Sequence, residues 1–268
     1  MQKLLSSLIV TMALSCVLAD VVEAADSITR MLSATFKITN PKSTATAFLI
    51  ERESKDGDPE LILVTAAHVF ESMSGDECKI VLRRQSDDGS YERQMTPIDI
   101  RGKGDKLWVQ HPKADVAAMR IQLPPGNEAT PLPYDSILDT EDSDDRAIEL
   151  GDEVYVFAFP NQLESSPSGF PVLRRGIVAS FPLTITDKRK TFMVDYSTFA
   201  GDSGGPVFIR KQNSDGKSEP IVVGLIHGQH RETMKSKTPN EERIVHRPMG
   251  LAIVTHAKLI RETVDLVP

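Results

Sequence analysis

Gly201-Asp202-Ser203-Gly204-Gly205-Pro206-Val207 places one serine among three glycines, directly ahead of an apolar segment. A serine hydroxyl attacks poorly until a neighbouring base takes its proton and donors receive the oxyanion that forms. Gly201 and Gly205 carry no Cβ, so the backbone can turn tightly here and let a carbonyl group come close. The amides of Gly201 and Ser203 are then candidates to converge on one point as an oxyanion hole. A glycine-rich turn between strands would use the same residues, so the upstream sequence decides between the two.

Two upstream stretches supply partners. Leu61-Ile62-Leu63-Val64-Thr65-Ala66-Ala67-His68 is an apolar run that ends in a histidine, and His111 to Ala118 sets Asp115 at the head of a second apolar run. GDSGGPV, TAAH and DVAAMRI, in the order His, Asp, Ser, resemble the chymotrypsin-like (trypsin-fold) serine proteases over most of the chain beyond its first few tens of residues. The resemblance implies a triad in which Ser203 is the nucleophile, His68 the general base and then acid, and Asp115 the group that fixes the imidazole tautomer. It implies hydrolysis of protein or peptide substrates through an acyl-enzyme, with no metal or cofactor. The implied fold is all-β: two antiparallel six-stranded β-barrels with the active site between them and a C-terminal helix. Residues 25–145 would form the barrel carrying His68 and Asp115. Residues 146–268 would form the barrel carrying Ser203, plus the helix. A monomer is expected, with no PDZ domain after the helix.

Gly201-x-Ser203-x-Gly205 also fits the nucleophile elbow of α/β-hydrolases, whose order is Ser, then Asp or Glu, then His. Asp215 followed by His227, His230, His246 or His256 could complete that order. That fold needs helical crossovers between parallel strands. Between Phe36 and Pro206 the sequence offers short apolar runs split by Gly, Pro, Asp and Ser, which favours the all-β reading. A protease-fold binding protein without activity and an esterase stay open as alternatives.

The net charge of −7 and the lack of a basic face exclude nucleic acid as the main partner. Arg83-Arg84 and Arg174-Arg175 read as solvated strand ends. Residues 1–24 begin Met1-Gln2-Lys3, run apolar from Leu4 to Leu18 and exit through Val22-Glu23-Ala24, the layout of a signal peptide cut after Ala24 or Ala25. The apolar part is too short for a membrane span. A secreted or periplasmic location follows; a lipoprotein on Cys16 fits less well, because Ala13 stands where a bulky aliphatic belongs. Without the signal only Cys78 remains, so no intrachain disulfide forms. Many secreted animal relatives carry a cysteine where Val69 stands, so the chain looks like the bacterial, disulfide-free branch. In Cys78-Lys79-Ile80-Val81-Leu82 the cysteine alternates in phase with two aliphatics and is expected to face a core.

The acidic stretch around Asp139 to Asp145 reads as a solvated connection. An EF-hand reading would need glycine at Asp144 and glutamate at Leu150. Arg231 to Arg247 reads as a long polar loop. Thr255 is placed to cap a terminal helix with Leu259, Ile260, Thr263 and Val264 on one face. Residues 25–35 are open as a propeptide.

The resemblance also bears on specificity. The residue six before the nucleophile, at the base of the primary pocket in this family, is Ser197 rather than an aspartate, so trypsin-like cleavage is not expected. Ser197 to Gly201 and Val223 to His227 are similar to the glutamyl endopeptidases, where a serine or threonine and a histidine bind a carboxylate; Thr198 and His227 would serve. Ile226, however, precedes His227. Strand alternation then sends Ile226 into the pocket and His227 out of it, unless a bulge compensates. A medium-sized apolar or uncharged residue is the expected preference, with acidic cleavage as the alternative. Asp202, buried beside the oxyanion hole, needs a cation. In relatives this is a cut amino terminus or an arginine. Ala25 offers no Ile-Val-Gly-Gly-type start, so Arg174 or Arg175 is expected.

Overall fold

The computed structural model describes residues 28–54, 56–139, 148–212, 218–238 and 241–268. The expected export signal and residues 140–145 of the acidic stretch lie outside the described residues. No described helix is long and apolar enough to cross a membrane.

In the N-terminal half the short apolar runs become β1 (Thr35–Thr39), β2 (Thr44–Glu53), β3 (Pro59–Thr65), β4 (Glu77–Gln85), β5 (Tyr91–Asp99), β6 (Arg101–Gly102), β7 (Asp105–Lys106), β8 (Val109–Gln110), β9 (Ala117–Ile121) and β10 (Leu132–Pro133). Their main sheet runs in the order β5-β4-β1-β2-β3-β9-β8, with β10 parallel to β2. Residues Ala45 to Ile50 of β2 are all buried, as a strand covered on both faces requires. Helix α1 covers residues 28–34, and α2 (Ala67–Ser72) follows β3. Met31 and Ala34 of α1 are fully buried, so this part of the open propeptide region packs into the core.

The C-terminal half is a closed barrel of β11 (Glu153–Ala158), β12 (Val172–Val178), β13 (Thr191–Asp195), β14 (Pro206–Gln212), β15 (Ser218–Thr238) and β16 (Glu241–His256), in the order β11-β12-β13-β16-β15-β14. Helix α3 (Ala257–Asp265) buries Leu259, Ile260, Thr263 and Val264, the face expected for it. It packs on β9 and β3 as well as on β15 and β16, and so ties the two halves together. Arg52 of β2 donates to the carbonyls of Val264 and Val267 at 2.5 and 2.7 Å and holds the end of the helix.

Four expectations change. Two closed barrels are expected, and one is found: the N-terminal sheet stays open between β5 and β8 among the described residues. Apart from Ile98, β5 buries nothing fully, so it has no apolar stripe to draw its free edge round to the two-residue β8. Arg231 to Arg247 is no loop but a ribbon, with Glu232 opposite Arg247, Met234 opposite Val245 and Lys237 opposite Glu242. Thr255 does not cap α3; His256 holds the N-cap position with no side-chain bond, and the Thr255 hydroxyl is buried without a partner among the described residues.

Arg83 is not solvated. Only 1% exposed, it lies between the rings of Phe36 and Phe170 at 4.5 and 4.7 Å, and it donates to the carbonyls of Thr35, Gly169 and Leu32. Burial lowers its pKa to about 10. Phe170 and Gly169 come from the C-terminal half, so this guanidinium is a second tie between the halves. Cys78 faces the core as expected, and burial pushes its thiol up to about 12.

Candidate active site

β3 is buried from Ile62 to Thr65, and Ala66 and Ala67 continue that burial, so the strand delivers its end rigidly against the core. His68 follows as the second residue of α2, its side chain 45% exposed. Asp115 precedes β9, the strand hydrogen-bonded to β3, so the two residues are brought together by neighbouring strand ends. The Asp115 carboxylate takes both donors of His68: the main-chain N–H reaches Oδ1 at 2.8 Å, and Nδ1 lies 2.5 Å from Oδ2. An Nδ1 facing a carboxylate carries the proton, which leaves Nε2 as the basic nitrogen. Burial works to raise the Asp115 pKa. The hydrogen bonds and charge of His68, with the charge of His227, outweigh it and hold the carboxyl below its ordinary value.

Ser203 comes from the other half, on a turn that only glycine allows. Gly201 has φ +100° and Gly204 φ +82°; a Cβ would strike the Phe159 carbonyl at the first and Thr65 Oγ1 and the Thr46 carbonyl at the second. Gly205 is not left-handed, and its tightness is of another kind, since a Cβ there would sit 2.9 Å from the Phe157 carbonyl oxygen. Thr46 clamps the turn to the N-terminal half: its N–H donates to the Ser203 carbonyl at 3.0 Å and its hydroxyl to the Gly201 carbonyl at 2.7 Å. This sets Ser203 against the strand end that carries His68. Ser203 Oγ makes no hydrogen bond among the described residues, His68 included; such bonds commonly tighten only when substrate arrives.

The amides around it sort into two kinds. Those of Asp202, Gly204 and Gly205 donate to the carbonyls of Phe199, Ile226 and Asp202. Those of Gly201 and Ser203, the pair expected as an oxyanion hole, have no main-chain acceptor among the described residues.

Asp202 is fully buried. Its Oδ2 accepts from Phe199 N–H at 3.0 Å and from Arg174 Nη1 and the Tyr196 hydroxyl, each at 3.3 Å. Arg174 also donates to the Ser197 carbonyl at 2.6 Å and stacks on Tyr196. Arg175, one residue on, points outward to Glu153 at 3.3 Å. Arg174 is therefore the cation beside Asp202.

Ser197 and Thr198 sit on the segment between β13 and the Ser203 turn. Thr198 is buried; with the Gln229 amide oriented so that its oxygen faces Arg231, the amide nitrogen donates to the Thr198 carbonyl and hydroxyl at 3.2 Å each. Gln229 carries no motif, which is why the sequence does not single it out. Ile226 is buried, and its main chain pairs with Gly204 and Gly205. The register of β15 against β16 slips between Ile226 and Gly228, so a bulge does stand at His227. It turns the imidazole toward the Asp115 carboxylate: His227 Nε2 is 3.8 Å from Asp115 Oδ2. Beside them opens a cavity of about 330 Å³ lined in part by His111, Lys113, Lys190 and Thr255. Among the described residues no group of three or more His, Cys, Asp or Glu side chains is placed to hold a metal ion.

Residues 45–224 match the family of trypsin-like peptidase domains. No curated protein matches the chain in sequence. In structure it is similar to human heparin binding protein, with a TM-score of 0.51, 16% identity, and 89% of this chain and 92% of that chain covered. It is similar also to neuropsin, a serine protease expressed in the limbic system of mouse brain, with a TM-score of 0.48, 13% identity and 85% and 91% of the two chains covered. For Rv3671c from M. tuberculosis in an inactive form the values are 0.48, 16%, 90% and 89%. At these identities the likeness to heparin binding protein concerns the fold alone.

Proposed function

The chain belongs to the family of trypsin-like peptidase domains, and from that premise we propose that it is an exported serine endopeptidase acting through an acyl-enzyme. The observation that carries the reading is the doubly hydrogen-bonded His68–Asp115 pair, with Ser203 on a turn braced against Thr46 and Thr65, the end of the strand that leads to His68, and with Gly201 and Ser203 amides that have no main-chain acceptor among the described residues. In the first step Ser203 Oγ attacks the scissile carbonyl and its proton passes to His68 Nε2. The amides of Gly201 and Ser203 receive the oxyanion. His68 then gives its proton to the leaving amine, which departs and leaves the acyl-enzyme. Water, deprotonated by His68, attacks the ester and frees Ser203. Asp115 keeps the imidazole in the tautomer that both steps need and stabilises the imidazolium between them.

Substrates are proteins or peptides, and the preferred residue before the cut is apolar or uncharged. The arrangement that supports this is the bulge, which aims His227 at Asp115. Export rests on residues 1–24 and is tested by N-terminal sequencing of protein recovered from culture medium or periplasm. The activity is tested with a fluorophosphonate probe. Labelling of the wild type and none of Ser203→Ala is expected, and Asp115→Asn should slow turnover about 10⁴-fold. An unlabelled, folded wild type would favour a binding role. Hydrolysis of simple esters without peptides would favour an esterase.

A further inference from the structure

Two consecutive residues other than glycine, Asn161 and Gln162, hold left-handed backbone, with φ +50° and +67°. Such conformations cost energy and persist only where the surrounding structure enforces them. They lie in the connection from β11 to β12, and the Asn161 N–H donates to the Ala200 carbonyl at 2.6 Å. Ala200 and Gly201 share one trans peptide, so its carbonyl and its N–H point in opposite directions. With the carbonyl turned to Asn161, the Gly201 N–H faces away from the connection. A flip of this peptide would put the carbonyl where the N–H now points. Glycine at 201 makes such a flip sterically cheap, so what holds the carbonyl matters.

The support for the strained pair comes from the other half of the molecule. Lys37 of β1, 7% exposed, donates from Nζ to the Gln162 carbonyl at 3.0 Å and to Glu164 Oε1 at 2.9 Å. Arg93 of β5 donates to the second oxygen of Glu164 at 2.6 Å. Farther along, the Ser168 hydroxyl donates to the Tyr91 carbonyl at 2.6 Å, and Arg83 to the Gly169 carbonyl at 3.2 Å. The connection is thus laid along β1, β4 and β5, and Lys37 is the contact at the strained residues themselves. A buried ammonium is costly unless paired and hydrogen-bonded, and both of these acceptors of Lys37 belong to this connection. We infer that Lys37 is a positioning residue for the Gly201 amide: by clamping the Asn161–Gln162 turn, it fixes which way the Ala200–Gly201 peptide faces. That this amide serves an oxyanion rests on the protease reading; the clamp and the orientation of the peptide do not.

The chain contains one Ala-Gly pair, Ala200-Gly201. Protein carrying ¹³C in its alanine carbonyls and ¹⁵N in its glycines therefore gives a single carbonyl–amide NMR signal, that of this peptide. In Ser203→Ala, which cannot digest itself, adding Lys37→Met should shift that signal or split it in two. The second readout is fluorophosphonate labelling of Ser203, resolved into a maximal rate and a half-saturating probe concentration. Lys37→Met should lower the maximal rate about three- to tenfold, the worth of one hydrogen bond. It should leave the half-saturating concentration within about twofold, because the amide meets charge only in the transition state. Should Lys37→Met fail to fold, Glu164→Gln keeps the shape of the clamp with a weaker acceptor and should act in the same direction. Arg52→Met removes a tie to α3 instead; it should lower the urea midpoint and leave both signal and labelling unchanged. A Lys37→Met protein that loses stability but keeps the wild-type signal overturns the inference. So does slow labelling with the signal unmoved, or an equal change in Arg52→Met. A moved signal in a protein whose wild type takes no label keeps the clamp and defeats the protease reading instead.

Discussion

Arg174 Nη1 lies 3.3 Å from Oδ2 of Asp202, a carboxylate with no exposed surface and one oxygen, Oδ1, without a partner among the described residues. The guanidinium is held in turn by the rings of Tyr196 and Phe199, at 4.2 and 5.1 Å, and by the Ser197 carbonyl. One side chain of β12 therefore anchors both the segment 197–199 and the turn that presents Ser203. An ion pair internal to the chain is available as soon as the barrel closes, so no cut amino terminus is needed to complete it.

Removing that cation should be costly. Arg174→Met leaves Asp202 buried with two neutral donors, and loss of one partner of a buried pair costs about 3–5 kcal/mol. Urea unfolding at pH 8 should show the loss, and Ser203 labelling should fall with it. Asp202→Asn added to Arg174→Met should recover much of the stability and little of the labelling, because the neutral turn is no longer pinned. Recovery of full labelling in the double variant would show that the pair does not position the turn.

Asp202 also predicts a pH dependence of its own. Burial raises its pKa from 3.8 to about 6, against the opposing pull of Phe199 N–H, Arg174 and Tyr196. A carboxyl that holds its proton more tightly when folded stabilises the fold at low pH. That contribution is lost as pH rises from about 4 to about 6, a change on the order of 3 kcal/mol. Relative to wild type, Asp202→Asn should therefore gain stability between pH 4 and pH 8, measured as the difference in urea midpoints. A difference that stays flat with pH would place the Asp202 pKa near its ordinary value.

What the sequence made legible here follows from what chemistry forbids substituting. His68, Asp115 and Ser203 are recognisable because the roles proposed for them, base, orienting acid and nucleophile, restrict residue type, and the pair Arg174-Arg175 because a buried carboxylate demands a cation; which of the two serves was not legible. The ribbon of β15 and β16 was illegible for the opposite reason. Both its faces meet solvent, so no apolar alternation marks it, and main-chain pairing alone makes the strands. Arg83 looked solvated because Phe36 and Phe170, which enclose it, are far from it in sequence. The bulge at His227 left no mark either: Gly228, beside it, has open space where a Cβ would stand, so its glycine is not compelled.

The Ser203 turn offers a comparison at constant backbone geometry. Gly57 and Gly204 have similar φ, +87° and +82°, but a Cβ at Gly57 meets nothing within 4 Å, whereas at Gly204 it strikes Thr65 Oγ1 and the Thr46 carbonyl. Gly57→Ala should cost only the left-handed strain, about 1–2 kcal/mol. Gly204→Ala should cost about 1–3 kcal/mol more for the overpacking and suppress Ser203 labelling, since Thr46 and Thr65 brace the turn. Equal losses of stability in the two variants would mean that the turn can back away from β2 and β3.

His256 works against Asp202 in the same pH range. It is 4% exposed, packs on Phe192 with ring centroids 4.8 Å apart, and leaves Nε2 buried without a partner among the described residues. Burial first, and the charge of Arg189 second, lower its pKa from 6.5 to about 4. A histidine kept neutral by folding stabilises the native state above its unfolded pKa. That contribution is lost as pH falls from about 6.5 to about 4, again on the order of 3 kcal/mol. With Asp202 stabilising as His256 destabilises, the wild type should show a flatter acid profile than either group alone would give. His256→Phe keeps a ring against Phe192 and removes the titration. Measured against wild type, it should be about 2–3 kcal/mol better placed at pH 4.5 than at pH 7.5. In Asp202→Asn the uncovered histidine should make stability rise with pH through this interval. If His256→Phe tracks the wild type at both pH values, His256 takes up its proton without disturbing the barrel, and the acid sensitivity belongs elsewhere.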